Sequence, residues 1–300
     1  MTHGRWAGCL LSASLVTGTL SDTPVSRPTR IVDGYRVLAA DFHVHTFPLS
    51  AGTIAPWNVP AEAQRQGLDV VAVTGHNEVM SGKAARWWWN IFGGPTVIAG
   101  EEIHGPRFHI VAIGIQEPIS WRLSVSKAVD EIHRQGGVAI AAHPVESSWS
   151  AVEPGANLDA TEVMQPLGYL EKHRRSFEAF HARGGMAPVA SSDYHGLGPI
   201  GVCRTYLFAQ NSSELAILDA IRARRTVVFD GDRLYGDPLL RELARRAGLP
   251  EAPPKHGALA VVSAVAGVVG LLIAILGVLT KRGRSGNPPA PVTQLGIPQL

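Results

Sequence analysis

Histidine and carboxylate side chains recur between residues 43 and 195 in pairs whose spacing suits metal binding. His43 and His45 are two residues apart, as are Asp193 and His195. Because residues i and i+2 of a strand point to the same face, both members of each pair can reach one ion. Imidazole nitrogens and carboxylate oxygens bind zinc, manganese and iron, and mixed sets leave positions open for water or substrate. The two pairs therefore predict a metal site.

Further candidate ligands stand singly beside apolar runs. His76 and His143 follow such runs, and His109 begins one, where a core or edge position is the alternative reading. An unpaired polar ring is costly to bury, and a metal is a natural partner for it. Of the adjacent acids, Glu102 is the chosen ligand and Glu101 the alternative, because only one can face inward. The predicted metal ligands are thus His43, His45, His76, Glu102, His109, His143, Asp193 and His195.

The elements that must position these ligands follow a regular alternation. Short β-rich runs alternate with helical runs from about residue 36 to 230, which predicts a parallel α/β architecture. Most ligands lie at or beside the C-terminal ends of predicted strands, where α/β barrels assemble their sites. His104 lies close to this end of the strands and is a candidate for contact with the substrate. Strands are predicted over 36–43, 69–74, 96–103, 108–114, 137–142, 160–165 and 187–192, and helices over 59–67, 82–90, 121–135 and 171–183.

Length and composition favour one large globular domain with an apolar addition. The chain has 300 residues, of which 45% are hydrophobic and 17% charged, and its formal net charge is +2. A single α/β barrel takes roughly 250 residues. Proteins that bind nucleic acid by neutralising phosphates normally carry a basic face or stripe, and none is evident here. A small-molecule substrate is therefore expected, with no nucleic acid as partner, and the oligomeric state is left open.

The two ends of the chain suggest a membrane association. Residues 258–280 are 23 consecutive positions without a charge, which predicts a single transmembrane helix. Lys281 and Arg282 follow at once, so the positive-inside rule predicts a cytoplasmic tail and an extracytoplasmic catalytic domain. A cytosolic domain on a C-terminal tail anchor is the alternative. The predicted domains are a possible signal peptide or linker over 1–29, a barrel over 30–235, a linker over 236–257, the transmembrane helix and a disordered tail over 281–300.

In order and spacing these motifs resemble those of the PHP (polymerase and histidinol phosphatase) family, over about residues 36–230. The segment 218–228 also resembles the closing helix and strand of that family. The resemblance implies a distorted, TIM-like (β/α)7 barrel whose two or three metal ions hydrolyse phosphate esters. The motifs that carry it are H-x-H (His43, His45), T-x-H (Thr74, His76), G-x-E (Gly100, Glu102), the histidine His109, H-P (His143, Pro144) and D-x-H (Asp193, His195).

The resemblance also implies how the ligands are shared. One ion would be held by His43, His45, Glu102 and Asp193, a second by Glu102, His109 and His143, and a third with help from His76 and His195. Two departures affect the third ion: Ala51 replaces an acid in a segment one residue longer than usual, and Gly75 replaces the acid of T-D-H. We therefore predict a dinuclear centre of divalent zinc, manganese or iron, with an uncertain third site.

The predicted function is that of a metal-dependent phosphoesterase in which a metal-bound hydroxide attacks the phosphorus. His195 and Asp193 are the predicted catalytic residues, and Arg204 or Arg107 is predicted to bind the phosphate, although each also reads as a structural or surface arginine. One alternative is a carbamate, ester or amide hydrolase on the same fold. The other is a catalytically degenerate metal-binding domain displayed on the membrane.

Overall fold

The protein divides into two compact units, Pro24–Pro254 and Met1–Thr23 with Lys255–Leu300. The helices are α1 (Thr2–Ser21), α2 (Val59–Arg65), α3 (Met80–Trp89), α4 (Val125–Arg134), α5 (Glu171–His181), α6 (Glu214–Arg222), α7 (Pro238–Arg246) and α8 (Ala258–Arg284), with a 3-10 turn at Pro56–Asn58. The structure, a computed structural model, describes residues 2–21, 28–91, 93–105, 107–145, 149, 156–166, 171–196, 198–229, 233–250 and 258–284.

The described residues of the larger unit form one sheet of eleven strands in the order β11-β10-β9-β2-β3-β4-β5-β6-β7-β8, with β1 paired to β2. The strands are β1 (Arg30–Val32), β2 (Tyr35–Asp41), β3 (Val70–His76), β4 (Thr96–His104), β5 (His109–Ile113), β6 (Val138–Ala141), β7 (Ala160–Met164), β8 (Ala187–Ala190), β9 (Arg204–Ala209), β10 (Thr226–Phe229) and β11 (Leu234–Gly236). All seven predicted strands are present.

The sheet curls until β8 reaches β9, which closes it like a barrel. The Thr205 hydroxyl on β9 accepts a hydrogen bond from the Ala190 amide at 2.8 Å and donates one to the Ala190 carbonyl at 2.9 Å. Beyond the strands, Val44 forms a parallel bridge with Tyr194. The predicted α/β barrel is therefore confirmed.

Strands β5 and β9 are among those that depart from the parallel arrangement that the sequence predicts. Strand β5 is antiparallel to both β4 and β6, and β9, which was not predicted, is antiparallel to β2. Only four residues, 105–108, connect β4 to β5. A parallel crossover needs a dozen residues or more, so this connection can only be a hairpin. The hairpin places His109 directly opposite His104.

Apolar faces hold the helices against the sheet. Helix α4 begins at the Ser124 cap, whose hydroxyl accepts from the Lys127 amide, and it buries Ala128 and Ile132. Helix α7 lies in the range predicted to be a linker, and its Leu243 is buried in the cluster that contains residues of β2, β3 and β9. A second cluster fills the barrel interior with alternate residues of the strands, as expected for a closed sheet.

The smaller unit consists of α1 and α8, and two glycines of α8 lie against α1. A Cβ at Gly270 would lie 3.1 Å from Leu10 and Leu11, and one at Gly267 would lie 2.8 Å from the Ser14 hydroxyl. Small residues allow two helix backbones to approach closely. The prediction of a signal peptide or linker over 1–29 stays a prediction.

The transmembrane prediction fails. Among the residues that the structure describes, no helix is both long and apolar enough to cross a membrane. This finding contradicts the transmembrane helix predicted over 258–280 and the membrane localisation derived from it. A hydrocarbon core about 30 Å thick needs about 20 apolar residues.

Candidate metal centre

The Glu102 carboxylate, at the end of β4, stands at the centre of five histidine rings. Its Oε2 atom lies 3.4 Å from the Nε2 atoms of both His43 and His45 and 3.0 Å from Nε2 of His76. Its Oε1 atom lies 2.8 Å from Nδ1 of His109 and 3.1 Å from Nε2 of His143. Side chains from β3, β4, β5 and the segments after β2 and β6 thus converge on one buried carboxylate.

A second carboxylate, Asp193, faces the same rings from the segment after β8. Its Oδ1 atom lies 3.4 Å from Nε2 of His43, 3.2 Å from Nε2 of His45 and 3.4 Å from Nδ1 of His195. The structure therefore brings all eight predicted ligands together. Groups of three whose ligand atoms lie within 4.8 Å of one another are His43, His45 and Glu102; His43, His143 and Asp193; Glu102, His109 and His143; His45, His76 and His195; and His76, Glu102 and His104.

The donor set fits divalent cations. The Nε2 atoms of His43 and His45 lie 3.1 Å apart and both face Glu102 and Asp193. Two ring nitrogens that point at each other need a proton or a cation between them, since two lone pairs repel. A set of imidazole nitrogens and carboxylate oxygens is the type that zinc, manganese and iron accept. This juxtaposition is the observation that carries the assignment of a metal centre.

The electrostatics of the cluster also favour a bound cation. Burial lowers the pKa of His43, but the carboxylates of Asp193 and Glu102 outweigh burial and raise it well above its usual value. Burial lowers the pKa of His45 to about 4. Burial raises the pKa of Glu102, yet the neighbouring histidines, His43 first, bring it well below its ordinary value. The carboxylates are thus charged at neutral pH and attract positive charge.

Glu162, which the sequence analysis did not select, orients two of the ligands. Its Oε1 atom lies 3.0 Å from Nδ1 of His43, and its Oε2 atom accepts from the His143 amide at 2.7 Å. The carboxylate thus accepts a hydrogen bond from Nδ1–H of His43, which leaves Nε2 free to face a metal. Ser50 has the same role for His45, since its hydroxyl lies 3.1 Å from Nδ1. An acid within the apolar run 160–164 was the signal, because a buried carboxylate needs a partner.

Local backbone strain places two of the ligands. His143 and Asp193 adopt positive φ angles of 29° and 47°, which non-glycine residues seldom do.

Asp41, buried at the end of β2, accepts hydrogen bonds from the amides of His43, Ser192 and Gly201. It therefore ties the segment that carries His43 to the segment that carries Asp193.

Two other polar side chains, Glu78 and Ser50, lie at the two departures from the family motifs. At Gly75 a Cβ would lie 1.9 Å from Oε1 of Glu78, so the Glu78 carboxylate occupies the space beside the glycine. Its other oxygen accepts from the Ser81 amide at the start of α3. In the segment with Ala51, the Ser50 hydroxyl also accepts from the His76 amide at 3.1 Å. Nε2 of His76 lies 3.0 Å from Oε2 of Glu102.

The two arginines predicted to bind phosphate differ in burial and in their contacts. Arg204 is buried, and its guanidinium donates to the backbone carbonyls of Gly201 and Gln66. Its hydrogen bonds thus join two loops of the barrel. Arg107 is exposed, and no contact between it and the ligand cluster is found among the described residues.

Glu101, the alternative to Glu102, lies away from the cluster. It is buried, and its Oε1 accepts from the Ile119 amide. Burial, and secondarily the charge of Glu78, raise its pKa to about 7. The pKa in the unfolded chain is near 4.5, so ionisation opposes folding progressively as pH rises from about 4.5 to 7.

We expect Glu101→Gln to stabilise the protein at pH 8 and to change its stability little at pH 5. The difference in unfolding free energy at pH 8 should reach as much as about 3 kcal/mol, since each pKa unit is worth about 1.4 kcal/mol. Urea unfolding of both proteins at the two pH values measures it. An equal difference at both values would contradict this explanation.

Comparison with known proteins agrees with the geometry. A family profile described as PHP-associated matches residues 171–226. An uncharacterized protein of Methanocaldococcus jannaschii is 34% identical over 168 residues, which cover 51% of this chain and 89% of the relative. A crystal structure from Bacteroides vulgatus ATCC 8482, of a two-domain protein containing a predicted PHP-like metal-dependent phosphoesterase, matches with a TM-score of 0.59 and 22% identity. The match covers 74% of this chain and 72% of that one.

The fold and the histidine and carboxylate cluster together define the class of protein. This is an α/β barrel of the kind found in PHP-like metal-dependent phosphoesterases, with a histidine and carboxylate cluster at one end of its strands. The chain belongs to the PHP family. The predicted family resemblance is confirmed.

Proposed function

We propose that this protein is a metal-dependent phosphoesterase that acts on small-molecule phosphate esters. The observation that carries the proposal is the convergence of His43, His45 and three further histidines on Glu102, with Asp193 opposite. In the proposed division, one ion would be held by His43, His45, Glu102 and Asp193, and a second by Glu102, His109 and His143.

The two oxygens of Glu102 support this division, because they face different ligands. Oε2 faces the histidines that follow β2, and Oε1 faces His109 and His143. A carboxylate can join two ions in this way, whereas a neutral imidazole offers one nitrogen lone pair. When bound, such a pair of divalent cations supplies Lewis acidity, which activates water and neutralises the charge of a phosphoryl group.

His195 is the proposed proton donor to the leaving group. Its side chain is 37% exposed, more than those of His76 and His109. Its Nδ1 lies 2.9 Å from the backbone carbonyl of Asp193, to which it donates. Nε2 is then the ring atom that exchanges a proton with the substrate. Asp193, whose pKa the positive charge of His43 lowers against the effect of burial, stays ionised beside it.

Proteins reconstituted with manganese, zinc or iron test the proposal. We expect cation-dependent hydrolysis of p-nitrophenyl phosphate and no more than weak hydrolysis of p-nitrophenyl acetate, with metal-free protein as the control. The acetate as the faster substrate would favour a carboxyl ester or amide hydrolase instead. Bound metal without turnover of either ester would favour a metal-binding domain without catalysis.

A further inference from the structure

We propose that His104 is a metal ligand and that it forms a further cation position together with His76 and Glu102. Ligand atoms of these three side chains lie within 4.8 Å of one another. The motifs that identify the family do not include His104. The inference rests on the metal-binding part of the proposed function and not on the reaction.

The strand register directs His104 toward the cluster. It is the last residue of β4 and stands two positions after Glu102, so both side chains leave the strand on the same face. Its ring lies 3.9 Å from that of His109 and 4.7 Å from that of His76, measured between ring centroids. The exposed side chain of His104 therefore lies against the histidines of the cluster and does not extend into water.

Asn77 fixes this arrangement through the backbone. The side-chain Oδ1 of Asn77 accepts from the backbone amide of His104 at 2.9 Å. The backbone amide of Asn77 donates to the Glu102 carbonyl, also at 2.9 Å. Asn77 has a φ of 53°, a left-handed conformation that asparagine tolerates better than most residues. The segment that carries His76 is therefore fastened to the end of β4 independently of the His104 ring.

The chemistry of the three side chains suits a divalent cation. Two imidazoles and one carboxylate form a set that keeps positions open for water or substrate. Because His76 would bind this ion, His195 would remain available as the proton donor. The position would also retain a third ion near the place where Ala51 and Gly75 have replaced acids.

Titration of the metal-free full-length protein with Co²⁺ tests the inference. We compare the native chain with His104→Ala and with His173→Ala, a control on α5 that belongs to none of the ligand groups. Outer-shell partners of metal ligands contribute about 10–100-fold to affinity, and a direct ligand should contribute at least as much. We expect the weakest-bound Co²⁺ to bind at least about tenfold more weakly in His104→Ala, with a changed visible absorption spectrum, and no change in the control.

Equal numbers of ions, affinities and spectra in the native chain and His104→Ala would overturn the inference. Because Asn77 contacts only the backbone of His104, the substitution should leave the fold intact. If the alanine variant nevertheless unfolds, His104→Gln gives the same comparison with a side chain of similar size. A native chain that binds Co²⁺ but hydrolyses no phosphate ester would contradict the proposed function alone.

Discussion

Glu102→Gln should abolish most cation binding and lower kcat/KM for a phosphate ester by at least about a thousandfold, or roughly 4 kcal/mol of transition-state stabilisation. The carboxylate faces five histidine rings, with distances of 2.8–3.4 Å to their nitrogens. Glutamine keeps the volume but has no charge and only one oxygen, so it cannot join two ions. Metal content by mass spectrometry and kinetics on reconstituted protein measure the two effects.

The neighbouring acid provides the matched control for this experiment. Glu101 is also buried and belongs to the same strand, but its carboxylate accepts from the Ile119 amide on the other face. Glu101→Gln should therefore keep the native metal content and activity. A Glu102→Gln protein with full activity would refute the assignment of the metal centre. Loss of activity in both variants would indicate damage to β4 instead.

The second large effect is expected from Glu162→Gln, which changes no proposed ligand. The native carboxylate holds Nδ1 of His43 and the His143 amide together. Glutamine cannot present two equivalent charged acceptors, so His43 loses the partner that orients its ring and increases its basicity. We expect the affinity for divalent cations to fall by about 10–100-fold, with a comparable loss of activity at limiting metal.

Saturating metal separates this positioning role from a catalytic one. If Glu162 acts through His43 and His143, excess cation should restore much of the activity of Glu162→Gln. Glu131→Gln, which removes an acid of an exposed ion pair on α4, is the control and should resemble the native chain. Unchanged cation affinity in Glu162→Gln would exclude the proposed role.

The clustering of these side chains was predictable because its signal is local. Histidines two residues apart, or at the end of an apolar run, can be recognised in the sequence, and strand ends are where α/β barrels place their sites. The choice of Glu102 over Glu101 agrees with the geometry, since one carboxylate faces the rings and the other accepts from Ile119. The alternation of strands and helices likewise predicted the barrel.

Other parts of the site depend on contacts between distant segments. Glu162 is 119 positions from His43, and Asp41 is 151 and 160 positions from the Ser192 and Gly201 amides that it accepts from. No spacing rule connects such residues, since only closure of the barrel brings them together.

The sequence by itself thus determined which side chains can bind metal and at which end of the strands they lie. The tertiary structure decided how these side chains are arranged around one another. It placed Glu102 between two groups of histidines, gave His143 and Asp193 their left-handed backbones, and brought the ring of His104 beside His76. The physical reason is that ligand chemistry belongs to single residues, whereas orientation depends on hydrogen bonds and packing between strands that only the closed barrel makes neighbours.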